Sequence, residues 1–438
     1  MNIFGSDGFR CQFGTNFMTF DFIKKFSEGL AETYKNEKYT KPVLIGRDTR
    51  SSGVLIEALL SSVLLSKGIN IVCADIIPTP GLSQLLDNGD YSLGVMITAS
   101  HNPHQDNGVK LFSSSGFKLS AQIESKIEAF ILKENEGKDS FSSANIIGKK
   151  INLDNAFDTY IKSLIKPITN KISKKRVLID CSNGAYSNLI YSFKDRENLT
   201  FINNNPTGNN INLNCGALHA ENLIHSLKID NYDFGIAFDG DGDRAVFVSK
   251  EYGVIEVEKL VILFFKLFNE SNNNKVVISE ISNLALRHNL HKLGGELIET
   301  EVGDRFVVDS VKENNAMFGC EPSGHFHFPD QSKSMDGFVV MQNFLLLIDF
   351  YNDNINNELH ALKHFNRIQE NIDIKHFSDV DFNKVLNNAQ RLINKEHEKV
   401  IIRKSMWDPV IRIYYDYSKE NNFLKIKENI INSLSNES

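Results

Sequence analysis

Asp239-Gly240-Asp241-Gly242-Asp243 sets three carboxylates at every second position, with glycines between them. In an extended loop all three can converge on one point, where two carboxylates ~6 Å apart repel by roughly 3 kcal/mol at an effective dielectric of 20. Three together require a cation, and hard oxygen donors favour magnesium or calcium. An EF-hand does not fit. Counted from Asp239, the position that needs Gly holds Arg244 and the one that needs Glu holds Lys250. The plain alternative is a solvated acidic turn.

A second candidate is Ser100, in Thr98-Ala99-Ser100-His101-Asn102-Pro103, with Asn107-Gly108-Val109-Lys110 just beyond. A serine hydroxyl is a weak nucleophile unless activated. No G-x-S-x-G elbow surrounds it, and adjacent Ser and His do not make a hydrolase triad, which argues against acyl transfer. A serine that carries phosphate opposite a metal fits better, because three carboxylates leave the cation an open position for a phosphoryl oxygen. Taken alone, the segment reads as a turn. Glu321, Ser323 and His325 alternate, so an extended segment would project a carboxylate, a hydroxyl and an imidazole to one side. That set suits sugar hydroxyls, or else forms the polar face of an edge strand. Arg10, Arg47, Arg50, Arg244 and Arg305 lie in or beside Gly-containing loops and could hold phosphate bidentately, though singly each reads as a surface residue.

The elements that must position these loops recur. Val43–Gly46, Val177–Asp180 and Val276–Ser279 each read as a buried strand followed by a loop and a helix. Second strands follow around Ile69–Val72, Leu199–Ile202 and Glu296–Glu299, and third strands at Leu93–Met96, Phe234–Ala237 and Met317–Cys320. The three candidate loops follow the three third strands. In open α/β sheets ligands bind at the carboxyl ends of strands, so equivalent units could aim all three loops at one cleft. After about residue 365 the texture changes to two strands, 400–403 and 411–415, and a closing helix over 420–434, which reads as a smaller α+β domain.

The 438 residues suffice for two to four domains with real cores, which excludes disorder. The formal charge of −7 without a basic run speaks against nucleic acid and for a small-molecule partner. Apolar runs such as Leu260–Phe265 and Phe344–Ile348 are far short of the roughly 18 residues that cross a bilayer, so no membrane role is expected. The opening Met1–Asp7 lacks a basic and an apolar signal region. Five scattered cysteines without a C-x-x-C pair read as reduced thiols. Both observations give a cytoplasmic expectation.

Together the three loops, in this order, make the sequence resemble the α-D-phosphohexomutase superfamily over nearly the whole chain. Residues 98–103 resemble its phosphoserine loop, Asp239–Arg244 its magnesium loop and Glu321–His325 its sugar-binding loop. Phe4–Arg10, Gly46–Arg50 and Val302–Arg305 look most like its phosphoglucosamine mutase branch. The resemblance implies three topologically similar α/β domains (1–150, 151–250 and 251–365) plus a C-terminal phosphate-binding α+β domain (366–438) around a central cleft. It implies Mg2+ on Asp239, Asp241, Asp243 and the phosphoserine, and a hexose 1,6-bisphosphate as activator and intermediate. Phosphorylated Ser100 would donate its phosphoryl group to a phosphosugar, with Lys110, Arg10 and His101 in the catalytic group. Glu321, Ser323, His325, Arg305, Arg244, Arg403, Ser405 and Trp407 would bind the substrate. The expected substrate is glucosamine 6-phosphate. Glucose or mannose phosphates are the enzymatic alternatives, and a phosphosugar-binding protein without turnover is the non-enzymatic one. A homodimer is compatible with this reading. One departure stands out: the family's fourth-domain loop reads Arg-x-Ser-Gly-Thr-Glu-Pro, whereas Arg403-Lys404-Ser405 is followed here by Met406-Trp407-Asp408-Pro409.

Overall fold

The computed structural model describes residues 3–5, 7–133, 146–164, 175–269, 273–374, 382–404, 410–419 and 421–435. The first sheet contains β1 (Phe9–Gln12), β2 (Val43–Arg47), β3 (Ile71–Ile76), β4 (Leu93–Ile97), β5 (Asp106–Ser113) and β6 (Lys150–Asn152), in the order β1-β5-β4-β2-β3-β6. The second contains β7 (Val177–Asp180), β8 (Leu199–Ile202), β9 (Phe234–Phe238), β10 (Ala245–Ser249) and β11 (Gly253–Val254), in the order β11-β10-β9-β7-β8. The third contains β12 (Lys275–Ser279), β13 (Glu296–Thr300), β14 (Phe318–Cys320) and β15 (Phe326–His327), in the order β13-β12-β14-β15.

One four-strand pattern runs through all three. The first strand is central, the second and third pair with it in parallel on either side, and a fourth lies antiparallel to the third. That fourth strand (β5, β10, β15) was not anticipated; β15 has only two residues and β5 carries polar residues of the site, whereas β10 is an apolar run that the reading passed over. The second strand of the first sheet begins at Ile71 rather than Ile69, since Gly68 turns the chain at φ +82° and Asn70 O accepts from Val43 N at 3.0 Å.

The central strands β2, β4, β7, β9 and β12 are buried on both faces because their side chains alternate between two apolar layers. Val43, Ile45, Val95 and Ile97 pack with Phe26, Leu30, Ile56 and Leu60 of the helices Phe20–Asn36 and Ser51–Ser66. Leu44 and Met96 face the other way, onto Leu82 and Leu86 of the helix Thr79–Asn88. Each fully buried aliphatic or aromatic side chain contributes roughly 1.5–3 kcal/mol. The second and third sheets share one core, in which Phe247 and Phe344 approach to 4.4 Å between ring centroids.

The fourth unit has its own core around Val400, Ile411, Ile413, Tyr415 and Ile426. Its sheet has three antiparallel strands, β16 (Asn366–Asp373), β17 (Glu398–Lys404) and β18 (Val410–Tyr417), in the order β16-β18-β17, followed by the helix Phe423–Ser435. The sequence reading missed β16. Only Ile368 and Ile372 are apolar there, and it is pairing with β18 that makes the segment a strand.

Candidate active site

β9 delivers the acidic loop. Asp239, Asp241 and Asp243 are buried, and one oxygen from each lies within 4.8 Å of the others. The loop is a turn rather than the extended segment expected: Gly242 N donates to Asp239 O at 3.2 Å, and Gly242 takes φ +76° with no room for a Cβ against the Tyr186 ring. Its carbonyls are anchored by three different units. Asp241 O accepts from Thr79 N at 2.8 Å, Gly240 O from Ala185 N at 2.9 Å, and Gly242 O from Gly337 N at 3.0 Å. Burial, then the Asp243 and Asp241 charges, push the Asp239 carboxyl well up. Burial also pushes Asp243 up, but Lys110 and then His325 outweigh it and hold the group well below the usual range. Lys110 Nζ lies 2.8 Å from Asp241, 2.7 Å from Asp243 and 3.0 Å from Asp7. Asp241 Oδ1 is buried without a hydrogen-bond partner. Three converging carboxylates with one orphaned oxygen fit a hard divalent cation.

β4 delivers Ser100, at φ +52°. Ser100 Oγ donates to Asp239 Oδ2 at 2.7 Å and lies 3.3 Å from His101 Nδ1. Burial, reinforced by the Arg244 and Arg10 charges, lowers the His101 pKa to about 3, so the ring is neutral at pH 7. Arg10, on β1, is solvent-exposed.

Glu321, Ser323 and His325 also occupy a turn between β14 and β15 rather than an extended segment. Glu321 N donates to His325 O at 2.9 Å and Gly324 N to Glu321 O at 3.1 Å. The turn brings His325 between two carboxylates, with Nδ1 2.8 Å from Glu321 Oε2 and Nε2 3.1 Å from Asp243 Oδ1. Ser323 Oγ is 3.2 Å from Nδ1 and is exposed. Burial and Arg244 lower the ring's affinity for protons, yet Asp243 and Glu321 raise its pKa to about 9. As an imidazolium, His325 donates from both nitrogens to the flanking carboxylates. The 3.0 Å approach of Arg244 Nε to Nε2 suits a neutral ring instead. The paired carboxylates favour the charged form. The sugar loop is thereby joined directly to the acidic loop.

Two of the candidate phosphate-binding arginines do other work. Arg47 pairs with Glu57 and Asp75, away from Ser100. Arg50 is 0% exposed and spends its donors on Asp48 and on loop carbonyls. Burial leaves neither its charge nor its geometry open to substrate. Arg305 Nη2 donates to Glu124 and Leu119 O in the first unit. With Lys118 and Asp304 it lines a cavity of about 370 Å³ that reaches Asp243. Arg403 is the penultimate residue of β17, and its charge reaches Glu280 of the third unit. Ser405 and Trp407 lie outside the described residues.

The sequence reading assigned no site role to Asp7, Lys118 or Asn212. Lys118 joins Asp7 to Asp304, at 2.6 Å from the latter, and Asp7 in turn holds Lys110. Asn212 Nδ2 donates to Ser100 O at 2.9 Å and Asn102 O at 3.0 Å. Asn212 stands in an Asn-rich stretch whose composition marks only a loop, and no local signal could have singled it out.

Sequence models described as phosphoglucomutase/phosphomannomutase alpha/beta/alpha domain I and domain III match residues 1–138 and 257–364. A phosphoglucosamine mutase of Campylobacter hominis is 32% identical over 427 residues, 96% of each chain. One of Caldicellulosiruptor saccharolyticus is 32% identical over 448 residues, covering 98% of this chain and 97% of the relative. Among solved structures, a phosphoglucomutase/phosphomannomutase family protein from Burkholderia thailandensis superposes with a TM-score of 0.80 at 19% identity, covering 100% of this chain and 97% of that one. Aspergillus fumigatus N-acetylphosphoglucosamine mutase, solved with GlcNAc-6P and magnesium, gives a TM-score of 0.67 at 12% identity, covering 99% and 96%. Sheets of one repeated topology that aim a serine, an acidic and a Glu-Ser-His loop at one another define a phosphohexomutase, and the chain belongs to that family. Within it, the chain is similar to the phosphoglucosamine mutases. Among the described residues no helix is long and apolar enough to cross a membrane.

Proposed function

We propose that this chain is a phosphosugar mutase that interconverts glucosamine 6-phosphate and glucosamine 1-phosphate through a phosphoserine at Ser100. The observation that carries the reading is Ser100 Oγ at 2.7 Å from Asp239, within a buried triad of carboxylates that also holds Lys110. The Ser100 Oγ–P bond breaks as a bond forms from phosphorus to the free sugar hydroxyl, whose proton ends on the departing Ser100 Oγ. The resulting bisphosphate turns over, and its other phosphoryl group returns to Ser100. Asp239, Asp241, Asp243 and the phosphoserine would hold Mg2+, which when bound supplies charge neutralisation for the transferring phosphoryl group.

Lys110, fixed by Asp7, Asp241 and Asp243, supplies positive charge beside that group. His101, held neutral 3.3 Å from Ser100 Oγ, is too weak a base to keep a proton and would orient the serine oxygen by hydrogen bonding, and Arg10 adds charge from β1. Glu321, Ser323 and His325 would bind sugar hydroxyls. Arg244, Arg305 and Arg403, with Ser405 and Trp407, would meet phosphate and ring. The division at 1–150, 151–250, 251–365 and 366–438 is part of the proposal; four separate sheets support four units, with β6 (Lys150–Asn152) of the first sheet and β11 (Gly253–Val254) of the second running just past two of these bounds. A bisphosphate activator and a homodimer rest on the motif resemblance alone, and a cytoplasmic location on the sequence features read above. The test is an intact-protein mass spectrum, in which one phosphate is expected on Ser100. A Ser100→Ala variant that still turns over glucosamine 6-phosphate would overturn the covalent route.

A further inference from the structure

We infer that Arg50 is a positioning residue: with Asp48 on its own side and Asn212 from the second unit, it holds the Ser100 loop in the shape that phosphoryl transfer requires. The inference rests on Ser100 being the phosphoryl carrier. A guanidinium has five N–H donors in a rigid planar fork. In Arg50 all five are engaged. Nε donates to Asp48 Oδ2 at 2.9 Å, Nη1 to Pro103 O and to Asp106 O (3.0 Å for the latter), and Nη2 to Ser100 O at 2.9 Å and Asn102 O at 2.8 Å. Four carbonyls within residues 100–106 therefore converge on one cation, and no donor is left for a phosphate.

The other side of the serine peptide is held through the same pair. Asp48 Oδ2 accepts from Thr98 Oγ1 at 2.7 Å, and Thr98 Oγ1 accepts from Ser100 N at 2.8 Å. Asn212 Nδ2 then donates to the Ser100 and Asn102 carbonyls from across the domain boundary. The need for such a clamp lies in the backbone. Ser100 sits at φ +52°, a left-handed conformation that a residue with a Cβ adopts only when its surroundings enforce it. That conformation aims Oγ at Asp239, so a relaxed loop would carry the nucleophile off line. Lysine at position 50 keeps the charge but has only three donors and no fork, and cannot satisfy the five acceptors.

The test follows phosphorylation of Ser100 in a single turnover with glucose 1,6-bisphosphate as the probe. In this step a sugar O–P bond breaks, the Ser100 Oγ–P bond forms, and the serine proton passes to the sugar oxygen. Intact-protein mass reports the rate at each bisphosphate concentration. Arg50→Lys should lower the maximal rate about 100-fold, the scale of a 1 Å misplacement of a reacting group. Its half-saturating bisphosphate concentration should stay within about twofold of wild type. Asn212→Ala, which removes two further hydrogen bonds to the same Ser100 and Asn102 carbonyls without exposing a buried charge, should lower the maximal rate by about fivefold and carries the test if Arg50→Lys does not fold. An unchanged maximal rate in a folded variant would overturn the inference, and so would a loss confined to the half-saturating concentration, which would mark Arg50 as a phosphate ligand. If wild-type Ser100 takes up no phosphate, the covalent route fails as well. A wild type that phosphorylates normally beside unaffected variants removes only the role given to Arg50.

Discussion

The junction of the first and second units and the junction of the third and fourth are built differently. At the first, Thr49 Oγ1 donates to Asn183 O at 2.7 Å, Ser51 N to Gly208 O at 3.0 Å and Thr79 N to Asp241 O at 2.8 Å, so backbone groups of the two units are tied on either side of the serine and acidic loops. At the second, the fourth unit keeps a core of its own and docks through a few polar side chains. Arg367 pairs with Asp416 and donates to Ile281 O, Asp416 accepts from Leu284 N, and Lys399 reaches Ser282 O. The difference follows from what each side must do. Under the proposed function, transfer between Ser100 and a sugar oxygen would depend on sub-ångström placement, whereas a distal phosphate held through Arg403 would tolerate a unit that moves as a body.

The comparison breaks most visibly at the tied junction. Ser100→Ala should leave the fold intact and reduce turnover of glucosamine 6-phosphate, assayed with the matching 1,6-bisphosphate, to below about a tenth of wild type. More residual activity than that would mean the serine is not the carrier. Asp241→Asn keeps the turn but removes one of three charges, and magnesium affinity by calorimetric titration should fall by roughly tenfold or more, with activity following. Unchanged binding would remove the acidic loop as the metal site.

At the docked junction, Asp416→Ala leaves Arg367 without its carboxylate and should cost about 3 kcal/mol of local stability. Here KM for the phosphosugar is expected to rise more than kcat falls. The reverse split would place the fourth unit's contribution in the chemical step.

A pH effect sharpens the picture of the tied side. Asp336 is buried beneath the acidic loop, accepts from Phe338 N, Val339 N and Tyr160 OH, and has its pKa raised by burial to about 6. A carboxyl whose folded pKa lies above its unfolded value of 3.8 stabilises the fold below pH 3.8 and loses that contribution as pH rises through 6. Asp336→Asn should flatten this fall, a difference of up to about 3 kcal/mol between pH 4 and 7 by chemical denaturation. Parallel stability curves for the two proteins would show that the carboxyl is ionised at no cost. The smallest signal is spectroscopic. Trp407 is the only tryptophan, so saturating phosphosugar should perturb the emission if that loop meets the ligand. An unaltered spectrum in an active sample would place Trp407 outside the site.

Much of this was open to reading along the chain. Strand runs such as Val177–Ile179 are contiguous and apolar, and the acidic triplet, the serine segment and the Glu-Ser-His segment are local in sequence. Where the reading went astray, the deciding partner was distant. Arg50 resembles a phosphate ligand until its carbonyl partners, some fifty residues away, are seen. The expected extended loops are turns because neighbouring strands must reverse there.

By itself the sequence determined the repeated α/β units, the chemical kinds of group presented after each third strand, and the separate texture of the last unit. These follow from periodicity and residue type, which neighbours along the chain express. Only the tertiary structure decided that His325 would sit between Glu321 and Asp243, that Lys110 would bridge Asp7 to the acidic loop, and that Arg50 and Asn212 would both hold the Ser100 and Asn102 carbonyls. Apart from His325–Glu321, four residues apart, those contacts join segments far apart in the chain. A buried charge chooses its partner by where packing leaves an unmatched group, and no spacing along the sequence records that.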